Sequence, residues 1–176
     1  MSKLALSALA CLAVSTFAAA SDEDRVPKPD LSTPNGTVNA LYEVISGPAG
    51  KKRDPDAMRN LFHESAKMVS VRGARDGKVR YNVITVEQYI ERSFPILEKD
   101  GFYEQEVKNV TEVYGNIAHV FTTYESRWKK DDEKPFARGI NSVQLMFDGE
   151  RWWIMSIVWQ NEVQGITIPE KYLPGG

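Results

Sequence analysis

Residues 137–163 read ARGINSVQLMFDGERWWIMSIVWQNEV. Two apolar runs, dense in β-branched and aromatic residues, flank Asp148-Gly149. This is the pattern of a β-hairpin with strands long enough to cross a domain. Three of the four tryptophans, Trp152, Trp153 and Trp159, lie in it, so the heaviest aromatic packing belongs to this hairpin. Arg138, Asn141, Ser142 and Gln144 stand inside strands that otherwise look buried. Buried polar groups must find partners, either across ordinary strand pairs or around a small pocket. The loop at Asp148-Gly149 holds two, three or four residues, and a change of one turns every side chain to the opposite face. Asn141 and Ser142 therefore both remain candidates for the inward position.

Upstream of the hairpin, Phe102 to Tyr114 and Ile117 to Lys129 read as two more long strands, joined at Gly115-Asn116. Consecutive strands with short turns are antiparallel neighbours. Before them come a helix at Thr37–Ser46, stopped by Gly47-Pro48, and a short helix opened by Asp54-Pro55-Asp56 with Met58, Leu61 and Phe62 as its apolar face. Short strands follow at Met68–Arg72 and Val79–Thr85. A third helix runs from Val86 to Glu98, with Thr85 and Gln88 spaced as a capping box and Pro95 inside. Helices grouped ahead of an antiparallel sheet indicate an α+β domain with helices on one face.

The first residues have a different character. Met1-Ser2-Lys3 is a basic start, Leu4 to Phe17 is apolar, and Ala18-Ala19-Ala20 supplies the small residues of a signal-peptidase site. The apolar run is short of the ~20 residues that span a bilayer. The reading is an export signal over residues 1–20, cleaved near Ala20 to give a periplasmic or secreted protein with no membrane attachment. Residues 21–34, polar and with three prolines, then form a disordered leader, 35–165 the domain and 166–176 a tail. The only cysteine, Cys11, lies inside the signal, and lipidation there would leave too short an apolar core ahead of it. The mature chain then has no disulfide and no thiol chemistry. Removing Lys3 takes 22 basic residues to 21 against 24 acidic, a net charge of about −3 with the signs interleaved. No basic stripe suited to nucleic acid and no polybasic membrane patch is present.

The order of elements, together with the run Phe147, Asp148, Arg151, Met155, Trp159, Glu162 and Val163, resembles the nuclear transport factor 2-like superfamily. Its members include ketosteroid isomerases, SnoaL-like polyketide cyclases and scytalone dehydratase. The resemblance covers about Thr33 to Val163, and Leu61-Phe62 ahead of Ser65-Ala66 looks like the family's second helix leading into its first strand. It implies a cone-shaped, strongly curved antiparallel or mixed sheet wrapped around about three N-terminal helices and enclosing a pocket. It also implies that Met155 and Trp159 line that pocket. The sequence departs from the isomerases where they keep their acid and base. The first-strand aspartate is replaced by Val69-Ser70-Val71, and the oxyanion-binding aspartate falls at about Ser142 or Val143. The isomerase mechanism is therefore not expected here.

No carboxylate takes the place of those two groups on sequence grounds. Glu104, Glu106 and Glu112, at even positions with Lys108, read as a solvated strand face. His63 reads as a histidine at the end of the second helix, and His119 as a mid-strand residue on the outer face of the sheet. Two histidines without ligand spacing imply no metal site, and no nucleotide-binding glycine motif occurs, so no cofactor is expected. The candidate site is Tyr124, Arg138, Asn141, Met155 and Trp159. Asn141 and Tyr124 would orient a ligand oxygen, Arg138 would neutralise a carboxylate, and Met155 and Trp159 would supply apolar contact. The expected function is capture of a small, mostly apolar ligand, with any chemistry isomerase-, cyclase- or lyase-like. Whether the chain is an enzyme stays open. The alternative is a non-enzymatic interaction module that uses the outer pattern Ile117, His119, Phe121, Thr123 for a homodimer or a partner contact.

Overall fold

A computed structural model describes residues 28–73, 78–163 and 165–176. The expected export signal, with Cys11 inside it, lies outside the described residues. Three helices, α1 (Pro34–Ile45), α2 (Pro55–Arg59) and α3 (Val86–Asp100), pack on a sheet of six strands. These are β1 (Phe62–Arg72), β2 (Arg80–Ile84), β3 (Tyr103–Tyr114), β4 (Ile117–Arg127), β5 (Ala137–Phe147) and β6 (Trp152–Asn161). Their order is β2-β1-β6-β5-β4-β3, and every pairing is antiparallel except β1 with β6. The fold is thus α+β with an open, mixed sheet.

Local chemistry explains most of the boundaries. Helix α1 begins at Pro34 rather than Thr37, because Pro34 fits the first helical turn and Thr33 caps it, its hydroxyl accepting from the Gly36 amide at 3.0 Å. Ordered structure reaches back to Leu31, whose carbonyl accepts from the Trp152 amide at 2.9 Å. The capping box of α3 is present, with Thr85 and Gln88 bonded reciprocally. The second helix is shorter than its apolar pattern suggests: it ends at Arg59, and β1 begins at Phe62. His63 accordingly lies on a strand, where its Nδ1 accepts from the Ser65 amide at 3.2 Å and meets the Ser65 hydroxyl at 2.8 Å.

Arg53 joins the helices. It is 5% exposed, and its guanidinium donates to the carbonyls of Ile45, Gly47, Lys51 and Leu97 at 2.6–3.2 Å. The last turns of α1 and α3 leave carbonyls without helical partners, and one arginine satisfies a carbonyl from each.

The core fills the space between the helices and the inner face of the sheet. Val38, Leu41 and Ile45 of α1 meet Phe94 and Leu97 of α3 and the inward residues of the strands. Val120, Val143 and Ile154 have no exposed surface, and burying such a side chain stabilises by about 1.5–3 kcal/mol. Irregular pairing interrupts β3 between Glu106 and Lys108, β5 with β6 at Gln144/Leu145, and β1 between Phe62 and Lys67. Such bulges bend strands, and they also change which residues face inward.

The C-terminal segment lies against the outer face. Glu162 accepts from the Ile168 amide at 3.1 Å, Thr123 donates to the Tyr172 carbonyl at 2.6 Å, and the rings of Phe121 and Tyr172 are 4.9 Å apart. Lys108 reaches the Gly176 carbonyl. Of the outer pattern on β4, Thr123 is therefore covered and Phe121 partly so, while Ile117 remains exposed.

Candidate functional site

Between α1, α3 and the inner face lies a cavity of about 290 Å³. Leu41, Met58, Met68, Ile157 and Trp159 make most of it apolar. Into this surface project Glu104, Tyr124, Ser126, Asn141 and Asn161. Phe136, stacked on Trp128 at 4.0 Å between ring centres, forms part of the rim.

The turn between β5 and β6 holds the four residues 148–151, with Phe147 opposite Trp152. Asp148 closes it by accepting from the amides of Glu150 and Arg151 at 2.8 and 2.9 Å. With that loop length and the later bulge, Asn141 pairs with Trp159 and both face inward. Ser142 lies on the outer face, where its hydroxyl meets His119 Nε2 at 2.9 Å. Of the five residues drawn from the sequence, Tyr124, Asn141 and Trp159 line the cavity. Arg138 and Met155 are not among its lining residues. Arg138 donates twice to Glu162, at 2.8 and 2.9 Å, and Met155 falls at the irregularity in the β5–β6 pairing.

Glu104 is the residue that sequence reasoning missed. The bulge at Val107 separates the acidic strand into two phases: Glu104 and Glu106 pair with the inward Ser126 and Tyr124, whereas Lys108 and Glu112 pair with the outward Thr123 and His119. The even-numbered acids thus do not share one solvated face. The helix end helps to fix Glu104, since Ser46 Oγ accepts from the Glu104 amide at 3.0 Å and donates to its carbonyl at 3.3 Å. The Ser126 hydroxyl donates to Glu104 Oε2 at 2.8 Å. Burial pushes the Glu104 carboxyl up to about 7, and hydrogen bonds from Ser126 and Asn141 only partly oppose this. No residue type marks a bulge at Val107, so a strict period-2 reading could not find the site.

A chain of hydrogen bonds runs behind the carboxyl. Thr122 donates to Glu106 Oε2 at 2.7 Å, and its oxygen lies 3.1 Å from the Tyr42 hydroxyl. A carboxylate only accepts, so Thr122 spends its proton on Glu106 and must accept from Tyr42. Tyr42 in turn accepts from Asn141 Nδ2 at 3.1 Å. Glu106 therefore sets the polarity of the chain and turns the Asn141 amide group toward Glu104. Tyr124 donates to Asn161 Oδ1 at 2.5 Å. Burial first, and then the Glu104 charge, raise the Tyr42, Tyr89 and Tyr124 phenols above their ordinary value, so all three stay protonated donors.

Gly139 makes the Tyr124 position accessible. A Cβ there would stand 2.4 Å from the Tyr124 hydroxyl and 2.4 Å from the Gln160 carbonyl oxygen. Only a residue without a side chain lets the tyrosine ring lie across β5.

The fold is that of the nuclear transport factor 2-like proteins. A superfamily member from Salmonella enterica serovar Typhimurium is similar at a TM-score of 0.52 and 15% identity, over 76% of this chain and 91% of that one. A nuclear transport factor 2-like protein from Cytophaga hutchinsonii is similar at a TM-score of 0.53 and 10% identity, over 72% and 93%. A Mycobacterium tuberculosis protein of unknown function is similar at a TM-score of 0.54 and 14% identity, over 77% and 79%. No family model and no curated protein matches the sequence. At these identities the likeness carries the fold alone, and function rests on the cavity.

Proposed function

We propose that the chain is an exported single-domain protein that admits a small, mostly apolar ligand with an oxygen function into this cavity and moves a proton on it through Glu104. The observation that carries the reading is a carboxyl held among apolar walls with its proton affinity raised to about 7. A group poised there exists in both protonation states near neutral pH and can serve as base and then as acid. To donate to the ligand oxygen, Tyr124 turns its proton away from Asn161 Oδ1 and Asn141 turns an N–H from its present acceptor, while Trp159 supplies apolar contact. The chemistry this arrangement supports is proton abstraction next to a carbonyl with return at another atom, as in isomerases, or with loss of a leaving group, as in lyases. The familiar isomerase residues are not required, since the carboxyl comes from β3 rather than β1.

The test uses 2-cyclohexenone in deuterated buffer. Wild-type protein is expected to incorporate deuterium beside the carbonyl faster than buffer alone, and E104Q to bind the enone without accelerating exchange. Absence of enone binding by ligand-observed NMR, or equal exchange with E104Q, would overturn the reading.

A homodimer through the outer face is the second reading. The row Val83, Val69, Val158, Ser142, Phe121 and Val110 crosses all six strands in register. Val83 and Val158 are exposed, at 51% and 38%. Sedimentation of wild type and V158K tests it: a dimer that V158K dissociates supports the reading, and a wild-type monomer sinks it.

A further inference from the structure

A second chamber of about 590 Å³ lies beside the first, and Tyr89, Ser93, Ile96, Trp159 and Asn161 border both. Its chemistry is different. Arg72 of β1 and Arg92 of α3 line it together with Ser70 and Asn82, and no aspartate or glutamate lines it among the described residues. Both arginines are exposed, and neither side chain has a hydrogen bond or ion pair among the described residues. Elsewhere the structure pairs its arginines closely: Arg59 with Glu87, Arg127 with Glu125, and Arg138 with Glu162. Among the described residues, a chain of net negative charge thus leaves two cations uncompensated beside an apolar cavity.

We infer that the outer chamber receives an anionic group, a carboxylate, sulfonate or phosphate, so that the ligand is amphipathic: its charged end lies between Arg72 and Arg92, and its apolar body runs past Trp159 toward Glu104. This rests on reading the inner cavity as a ligand pocket and adds the class of molecule that fills it. Guanidinium groups bind such anions through paired N–H donors, and the residues that border both chambers set the arginines and Glu104 on either side of Trp159, within one ligand's span in this proposal. The same arrangement orients the ligand. A charged end cannot enter the apolar chamber without losing its hydration, so the neutral end must lead.

The test compares two fluorescent probes with the same aromatic frame, 8-anilinonaphthalene-1-sulfonate and its neutral counterpart N-phenyl-1-naphthylamine. In the double variant R72A/R92A the affinity ratio of the anionic to the neutral probe is expected to fall about tenfold, as loss of charge-assisted hydrogen bonds implies. Affinity for the neutral probe should hold. Substitution at the shared border, S93W or the milder S93Q, should weaken both probes. An unchanged ratio in R72A/R92A, with the neutral probe still bound and still sensitive to Ser93, would overturn the anionic subsite and leave the pocket standing. Failure of both probes to bind, or indifference of both to Ser93, would overturn the pocket and the subsite with it.

Discussion

Ser126 and Glu104 are register partners on adjacent strands, and the serine hydroxyl donates to the buried carboxyl at 2.8 Å. The bond stabilises the ionised form of a group whose surroundings favour the neutral one. Raised to about 7 from an ordinary value of 4.5, Glu104 binds its proton more tightly in the folded chain than in the unfolded one. Its contribution to stability is fully present below the unfolded value and is lost as pH rises through the folded one. Urea unfolding should therefore show wild type losing roughly 2–3 kcal/mol between pH 4.5 and 8 relative to E104Q, most of it by pH 7. S126A should move the midpoint of that loss to higher pH, because the bond it removes favours the charge. Parallel stability curves for wild type and E104Q would contradict this.

Thr122 links a carboxylate to a phenol, and T122V removes the link while keeping the shape. Glu106 and Tyr42 each lose a partner in a buried setting, which should destabilise by about 2 kcal/mol. With its acceptor gone, Tyr42 is free to turn its proton elsewhere, and the Asn141 amide loses its fixed orientation. The pH midpoint assigned to Glu104 should then shift as well, readable by carbon NMR of the carboxyl. A stability loss without that shift would make Thr122 a packing residue only.

G139A places a methyl group where the Tyr124 hydroxyl and the Gln160 carbonyl already stand. One must move, at a cost of about 1–3 kcal/mol. Combining G139A with Y124F should recover little, because the Gln160 oxygen is backbone and the ring carbon at 2.6 Å remains. Thermal unfolding of the two single variants and the double variant measures this directly.

Replacing Arg53 by methionine keeps the aliphatic stem and removes the donors. Four carbonyls lose their partner, two of them at helix ends, and stability should fall by about 3 kcal/mol or more. R53K should recover only part of this, since an ammonium cannot span the same fan of acceptors. Hydrogen exchange at the last turns of α1 and α3 should quicken together. Separate responses would show that the two ends are held independently.

The sequence carried the architecture well where local chemistry is strong. The Asp148-Gly149 turn, the Thr85/Gln88 capping box and the meander of four strands are all set by side chains close in sequence, and all are present. Asn141, Tyr124 and Trp159 were legible because polar and large aromatic groups in a buried strand need a reason. Glu104 was not, because one unmarked bulge decides its face. Arg138 shows the opposite difficulty: an arginine within a strand suggests a ligand carboxylate, but Glu162, 24 positions along the chain, supplies one. His63 was misplaced because Leu61 and Phe62 fit a helix face as well as the start of a strand, and short apolar runs do not separate the two.

The parallel contact between β1 and β6 has a consequence for the order in which the molecule takes shape. It is the seam that joins the small β2–β1 ladder to the four-stranded meander, and its partners lie roughly 90 residues apart in the chain. The meander can close through near neighbours, whereas the seam must wait for the last long strand to be made. Met68 stands on one side of it, Ile157 and Trp159 on the other. The chamber is therefore assembled at the final joint of the sheet, so a nascent or partly unfolded chain can hold a formed meander and still lack the chamber.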